Sequence, residues 1–368
     1  EFVWDQCMPD QMYVFNEDQV PHILSTVVAN MKPMYTKDQK LAPANVIFLC
    51  ARFAHYYSTP DLLDSLLNGY IQELTTRLRK YSDDPMLITF WMANTTQLLY
   101  YIKKDTSLVT GTVEHQLALS ELVHEIYQLF VKGAQNKLHL ELNQAILNCE
   151  TIPGLNDESK FGLKKTSFLF GLVGGDDDDT EEPSNDSGGS SLSLRRTLSL
   201  RRKPKTPHAG INGKTKPSPS TITNILGNTL FVLQTYEVHP MLVHHILNQL
   251  IYFISCHLFN QILKHKKYCC RSRAMQIRMN ITNIEDWIRN HGSSPLVHHL
   301  NHHFKPLIQL LQLLQIFSSH TSSQEFIDTL KSLEELNPLQ IKRASENYRY
   351  ETDEPRVPDE VYDYIKVI

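Results

Sequence analysis

The sequence predicts an all-α protein, and three observations carry that reading. Apolar residues recur at three- and four-residue spacing through most of the chain, prolines and capping residues fall where helices would begin, and the alternating runs that strands need are scarce. The 368 residues are enough for two ordinary domains, and 41% hydrophobic content is enough for a sizeable core. No fixed-period repeat stands out, which argues against a solenoid of identical units.

In chain order, residues 1–41 mix short apolar clusters with Pro9, Pro21 and Pro33 and predict one short helix near Val20 to Met31. Because the first residue is Glu1 and not methionine, the chain reads as a piece of a longer protein. Pro43 opens the next helix, with Val46, Leu49, Phe53, Tyr56 and Tyr57 expected on one face. Thr59-Pro60 and Asp84-Pro85 repeat one device, an N-cap residue followed by proline at the first helical position, where the missing N–H would be unpaired anyway. The helix after Thr59 is expected to bury Leu63, Leu67, Tyr70, Leu74 and Leu78; the one after Asp84, Leu87, Trp91, Leu98 and Ile102. Between Thr110 and Cys149 two helices are expected, one on Leu122, Ile126 and Leu129, the other on Leu138, Leu142 and Ile146. Pro153-Gly154 ends this half.

After Gly171 the composition changes. Seven acidic residues between Asp176 and Asp186 precede a Gly/Ser run and then eight cations between Arg195 and Lys216, mixed with prolines. Such a segment cannot bury enough apolar surface to offset its ordering entropy. The expected organisation is therefore an N-terminal helical half (1–171), a disordered acidic-then-basic insert (172–220) and a C-terminal helical half (221–368).

In the second half, Ile222, Ile225, Leu226, Leu230 and Leu233 mark a helix, and His239-Pro240 starts the next. Met241 to Leu263 is apolar over most of its circumference, the mark of an interior helix. A membrane span is disfavoured because Asn248, Gln249, His257, Asn260 and Gln261 would carry unsatisfied groups into lipid. Thr282 and Glu285 form a capping-box pattern that predicts a helix start there, with Ile284, Trp287 and Ile288 on one face. Ser294-Pro295 predicts another helix, interrupted or restarted by Pro306; Phe326, Leu330, Leu333 and Leu336 give one more, stopped by Asn337-Pro338. The tail from Glu351 to Ile368 reads as a strap packed on the body.

Met275-Gln276-Ile277-Arg278, followed by Ile284-Glu285-Asp286-Trp287-Ile288-Arg289, resembles the signature of the dilute (DIL) domain, the globular cargo-binding tail of class V myosins. Phe48-Leu49-Cys50-Ala51-Arg52-Phe53-Ala54, Thr89-Phe90-Trp91-Met92-Ala93-Asn94-Thr95, Ile126-Tyr127-Gln128-Leu129 and the run Leu307 to Gln315 are similar to other landmarks of that tail, in the expected order. The resemblance implies an elongated helical stack of two interlocked subdomains, similar to tethering-complex subunits, with the C-terminal tail bridging back to the first half. It implies a non-catalytic module that binds protein adaptors or Rab-class small GTPases, cytoplasmic or peripheral on vesicle and Golgi membranes. The insert and the first segment look closer to fungal proteins that join ankyrin repeats to a dilute domain. Met275, Gln276, Ile277, Arg278 and Trp287 are read as fold-determining, with Arg278 holding neighbouring carbonyls.

No catalytic constellation emerges, and no cofactor is expected. Gly213-Lys214-Thr215 lacks the earlier glycine of a phosphate-binding loop, His124-Glu125 lacks the second histidine of a zinc helix, and no Gly-x-Ser-x-Gly elbow occurs. His298/His302 and His299/His303 stand at helical i,i+4 spacing, but no cysteine or carboxylate completes a metal site, so a solvated or partner-facing surface is favoured. The six cysteines are scattered and read as reduced thiols; Cys269-Cys270 beside Arg271 and Arg273 suggests a lowered thiol pKa, with a structural role favoured. In the insert, Ser199, Thr206 and Ser218 are candidate phosphorylation sites, and Arg195, Arg196, Arg201 and Arg202 candidate anionic-lipid contacts, which gives a membrane tether as the alternative function. Without interleaved aromatics and at a net charge of −4, nucleic acid is not an expected partner. Trp91, Trp287, Tyr56 and Tyr57 are read as core.

Overall fold

A computed structural model of the chain describes residues 11–34, 36, 39–151, 216–291, 299–317, 322–352 and 354–367. Among these residues there is no strand. The parts before and after residues 159–215 belong to one compact unit; of the expected disordered insert, 172–215 lie outside the described residues, and its last two residues, Pro219 and Ser220, are already helical.

The chain opens with α1 (Val20–Leu24), extended by a π-type turn over Ser25–Ala29. Helices α2 (Ala42–Tyr57), α3 (Pro60–Lys80) and α4 (Pro85–Lys104) come next. The proline device operates as expected: Thr59 Oγ1 accepts from Leu62 N at 3.3 Å, and Asp84 Oδ1 accepts from Met86 N and Leu87 N at 2.9 and 3.2 Å. All the apolar residues predicted for α3 and α4 are buried, each contributing about 1.5–3 kcal/mol of transfer free energy. Gly69 lets α1 approach α3, since a Cβ there would collide with Leu24 Cδ1.

Helix α2 departs from the expected face. Ala44, Ile47, Phe48, Cys50, Ala51 and Ala54 are buried, whereas Tyr56 and Tyr57 are exposed. Most of α2 is enclosed, so periodicity could not single out one face, and only its last turn reaches solvent. After the short α5 (Leu108–Gly111), the two helices expected between Thr110 and Cys149 are one: α6 (Val113–Leu142), with a π-type turn over Asn143–Leu147. Gly133 does not break it, because its position faces open space and the apolar contacts on either side carry the helix through.

The second half contributes α7 (Pro219–Thr235), α8 (Pro240–Lys264) and α9 (Arg271–His291). His239 Nδ1 accepts from Met241 N at 3.3 Å at the start of α8. This helix is long and apolar enough to cross a membrane by composition alone, yet Ile246, Leu247, Leu250, Ile251, Ile254, Leu258 and Ile262 are buried against protein. Helix α8 packs on α6, and α7 on α4 and α6, so helices from both halves share one core.

Helix α9 does not restart at Thr282. It runs unbroken, because the buried series Ala274, Ile277, Ile281, Ile284 and Ile288 never loses its period. Thr282 Oγ1 donates back to Arg278 O at 3.1 Å, and Glu285 pairs with Arg278 at 2.8 Å, so neither serves as a cap.

A 3₁₀ turn, His299–Phe304, leads into α10 (Lys305–Ile316), with Pro306 in its first turn. Helix α11 (Ser323–Ser332) stops before Leu333, and Asn337-Pro338 starts α12 (Pro338–Asn347) where a stop was expected. Asn337 Oδ1 accepts from Gln340 N at 2.9 Å, the same device as at Thr59 and Asp84. Tail helix α13 (Asp359–Val367) buries Val361 and Ile365 against α11 and α12. Among the described residues the tail helix therefore packs chiefly on the second half, where a bridge to the first was expected.

Candidate functional site

Two features stand out, a polar tie between the halves and a groove beside α8. The tie is built on α9. Asn280 Nδ2 donates to Ile146 O at 2.8 Å and Cys149 O at 3.0 Å, the Thr151 hydroxyl donates to Asn280 Oδ1, and Gln276 Nε2 reaches the same oxygen at 3.4 Å. Asn280 and Gln276 are fully buried. These bonds satisfy the carbonyls that the end of α6 leaves unpaired. The carbonyl-holding role expected of Arg278 thus belongs to Asn280; Arg278 holds Thr282 Oγ1 and the Glu285 carboxylate instead. Ile277 and Trp287 are core, Met275 is half-buried, and the Trp287 indole lies over Gly227 of α7. His291 stacks on Trp287 at 4.7 Å. The signature residues pack and bond within the folded body, and sequence reasoning missed Asn280, which lies two residues beyond Arg278 with no motif to mark it.

The groove has a volume of about 440 Å³. Tyr252, Ser255, Cys256, Phe259 and Asn260 of α8 form one wall; His302, His303, Lys305 and Pro306 form the other; Glu335 and Gln340 close one end. His303 Nε2–H donates to Asn248 Oδ1 at 2.7 Å, and Tyr252 meets the His303 ring edge-on at 5.5 Å. Burial, and then neighbouring His302, hold the His303 pKa below its ordinary value, so a neutral imidazole fills this wall. Cys256 beside Tyr252 raises the phenol pKa. Aromatic surface ringed by hydrogen-bonding groups suits recognition of a partner segment.

The histidine pair predicted at i,i+4 does not form. His299 and His303 lie in a 3₁₀ turn, where residues three apart eclipse, so His302 and not His303 falls over His299; His303 turns to α8, its ring 3.9 Å from that of its neighbour His302. His298 lies outside the described residues, and no group of three His, Cys, Asp or Glu among those described converges on a metal site. Cys269 and Cys270 go against the expected lowering: burial pushes both thiols up to about 11, and Cys50 up to about 12.

Trp91 is core, as read from its spacing, whereas Tyr57 is 69% exposed. Arg195, Arg196, Ser199, Arg201, Arg202 and Thr206, with Gly213-Lys214-Thr215, lie outside the described residues. Ser218 is the N-cap of α7, half-buried, and its N–H donates to Thr221 Oγ1 at 3.1 Å.

Residues 245–352 match the family model described as the DIL domain. A dilute domain-containing protein of Schizosaccharomyces pombe is 29% identical over 366 residues, covering 94% of this chain and 57% of that protein. Human unconventional myosin-Va is 24% identical over 329 residues, covering 83% of this chain and 15% of that one. A solved yeast myosin 5 cargo-binding domain superposes with a TM-score of 0.67 at 15% identity, over 95% of this chain and 81% of that chain. A structure of Myo2-GTD in complex with Mmr1 gives 0.64 at 14% identity, over 95% and 83%.

Proposed function

From the premise that this chain carries a DIL domain and has the all-α fold of a myosin V cargo-binding tail, we propose that it is a non-catalytic protein-interaction module that binds adaptor proteins in vesicle or organelle transport. The observation that carries this reading is coverage. The likeness extends over 94% of the chain in sequence and 95% in structure, so it concerns the whole folded body and not one motif. Structures of Myo2-GTD with Mmr1, Inp2 and Smy1 support a protein partner over a small molecule. The chain spans 57% of its S. pombe relative and 15% of human myosin-Va, so what the rest of those proteins does is not transferred to it.

Within this reading the partner is an adaptor or a Rab-class small GTPase at vesicle or Golgi membranes, and one of its segments lies in the groove beside α8. Ser218 is a candidate regulatory site: a phosphate at the N-cap of α7 meets the positive end of the helix dipole, so it would tighten that helix.

The test is capture with the tagged chain, followed by binding of each recovered adaptor to the purified chain and to a Tyr252→Ala/Asn260→Ala variant. Both side chains are exposed, so the fold should survive. The reading expects direct binding that the variant weakens at least tenfold. An adaptor set that binds both proteins equally removes the groove from the proposal; no direct protein binding at all overturns the function.

A further inference from the structure

The segment where α8 turns into α9 reads Lys264-His265-Lys266-Lys267-Tyr268-Cys269-Cys270-Arg271-Ser272-Arg273, five cations without a carboxylate in a chain of net charge −4. Lysines at the end of α8 suit the helix dipole, but Arg271 and Arg273 occupy the first turn of α9, where cations are disfavoured. Local stability therefore does not account for the cluster.

The end of α12 and the residues just after it add to it. Arg349 N donates to Cys269 O at 2.7 Å and Asn347 Nδ2 to Leu263 O at 2.8 Å, which brings the exposed Arg349 beside the turn. The nearby described carboxylates are already engaged: Glu351 on Ser272, Glu354 on Tyr348 and Glu351 N, Glu346 against Arg343, and Glu150 against Arg273. Among the described residues, Lys264, Lys266, Lys267, Arg271 and Arg349 have no carboxylate within ion-pair distance. All five are exposed.

We propose that this face of the folded body is an electrostatic docking surface for an anionic lipid membrane. A membrane fits better than an acidic peptide. A peptide needs apolar or aromatic anchors in pockets, and none of the large exposed hydrophobic residues falls between Lys264 and Arg273, where Tyr268 is buried under Lys267. A charged bilayer needs only several cations within a Debye length of it. This surface goes beyond adaptor binding and is independent of it, since it shares no residue with the groove.

The test is sedimentation of the whole chain with phosphatidylcholine vesicles and with vesicles containing about 30% phosphatidylserine. Binding to the anionic vesicles is expected, with a loss of about 1,000-fold in partitioning for Lys264→Gln/Lys266→Gln/Lys267→Gln/Arg271→Gln. An Arg195→Gln/Arg196→Gln/Arg201→Gln/Arg202→Gln variant is expected to keep most of the binding. A second readout needs no mutation: acetylation of Lys264, Lys266 and Lys267 should slow severalfold on anionic vesicles, while exposed Lys137 of α6 reacts unchanged. No preference for the anionic vesicles, unchanged binding by the first variant, unchanged acetylation, or binding to soluble polyglutamate in place of vesicles would each overturn the proposal.

Discussion

Replacing Asn280 with alanine should loosen the tie between the halves. The substitution strips the partner from Ile146 O, Cys149 O and the Thr151 hydroxyl. A buried acceptor left unpaired costs about 1–3 kcal/mol. Ile146 is fully buried, whereas Cys149 is half-buried and Thr151 exposed, so water can repay part of the loss at the latter two. Alanine returns about 0.6 kcal/mol of helix propensity. The net expectation is a loss of about 2–3 kcal/mol, read as a lower urea midpoint at unchanged slope, with faster amide exchange over residues 146–151. Asn283→Ala on the exposed side of the same helix should change stability by less than about 0.5 kcal/mol. Asn280→Asp is the sharper variant, because it keeps size and acceptor but points a carboxylate at two carbonyls; it should cost at least as much as alanine. If Asn280→Ala behaves like Asn283→Ala, Asn280 does not hold the halves together and the account of α9 is wrong.

Three further outcomes are expected. Glu237, the single non-glycine residue with positive φ (50°) among those described, closes α7 and pairs with Lys40, which is 5% exposed. Glu237→Gly should therefore destabilise despite about 1 kcal/mol of relieved strain, while Lys40→Met/Glu237→Gly should recover the loss in denaturant titrations. Burial, then His139, lowers the His257 pKa below 6.5, so its stabilising effect is present above pH 6.5 and is lost as the pH falls through the folded value. Urea midpoints should drop between pH 7 and 5, and His257→Gln should flatten that slope. With Cys50, Cys269 and Cys270 pushed up to about 12, 11 and 11, disulfide-exchange reagents at pH 8 should label these thiols far more slowly in the native protein than after unfolding; labelling at equal rates would contradict their burial.

Helices were legible wherever one face is buried and the other wet. Leu63 to Leu78 in α3 could be read off because every third or fourth residue is core and the rest are solvated. The misreadings arise where a local signal has two meanings. Asn337-Pro338 can close one helix or open another, and only the continuing pattern Ile341, Ala344 and Ser345 tells the two apart. Thr282 and Glu285 spell a cap, but a cap needs a break in the apolar period, and Ile277, Ile281 and Ile284 supply none. The groove was less legible still, because Tyr252 and His303 are 51 positions apart in sequence and meet only through the packing of α8 on the 3₁₀ turn.

Two violations of local rules can be weighed against each other to decide which marks function. Glu237 stands where glycine or asparagine is preferred, and the structure explains it locally: its carboxylate answers the nearly buried Lys40. The cations in the first turn of α9 find a smaller local reward. Glu351 reaches Ser272 N, and Glu150 touches Arg273 only at 4.0 Å, while Arg271 has no described carboxylate in range. A fold that keeps a cation where its helix dipole opposes it, with no carboxylate among the described residues in range to offset the cost, is stabilised once a partner binds it. That asymmetry separates the α8–α9 turn, as a surface held for a ligand, from the α7–α8 turn, a surface held for the fold.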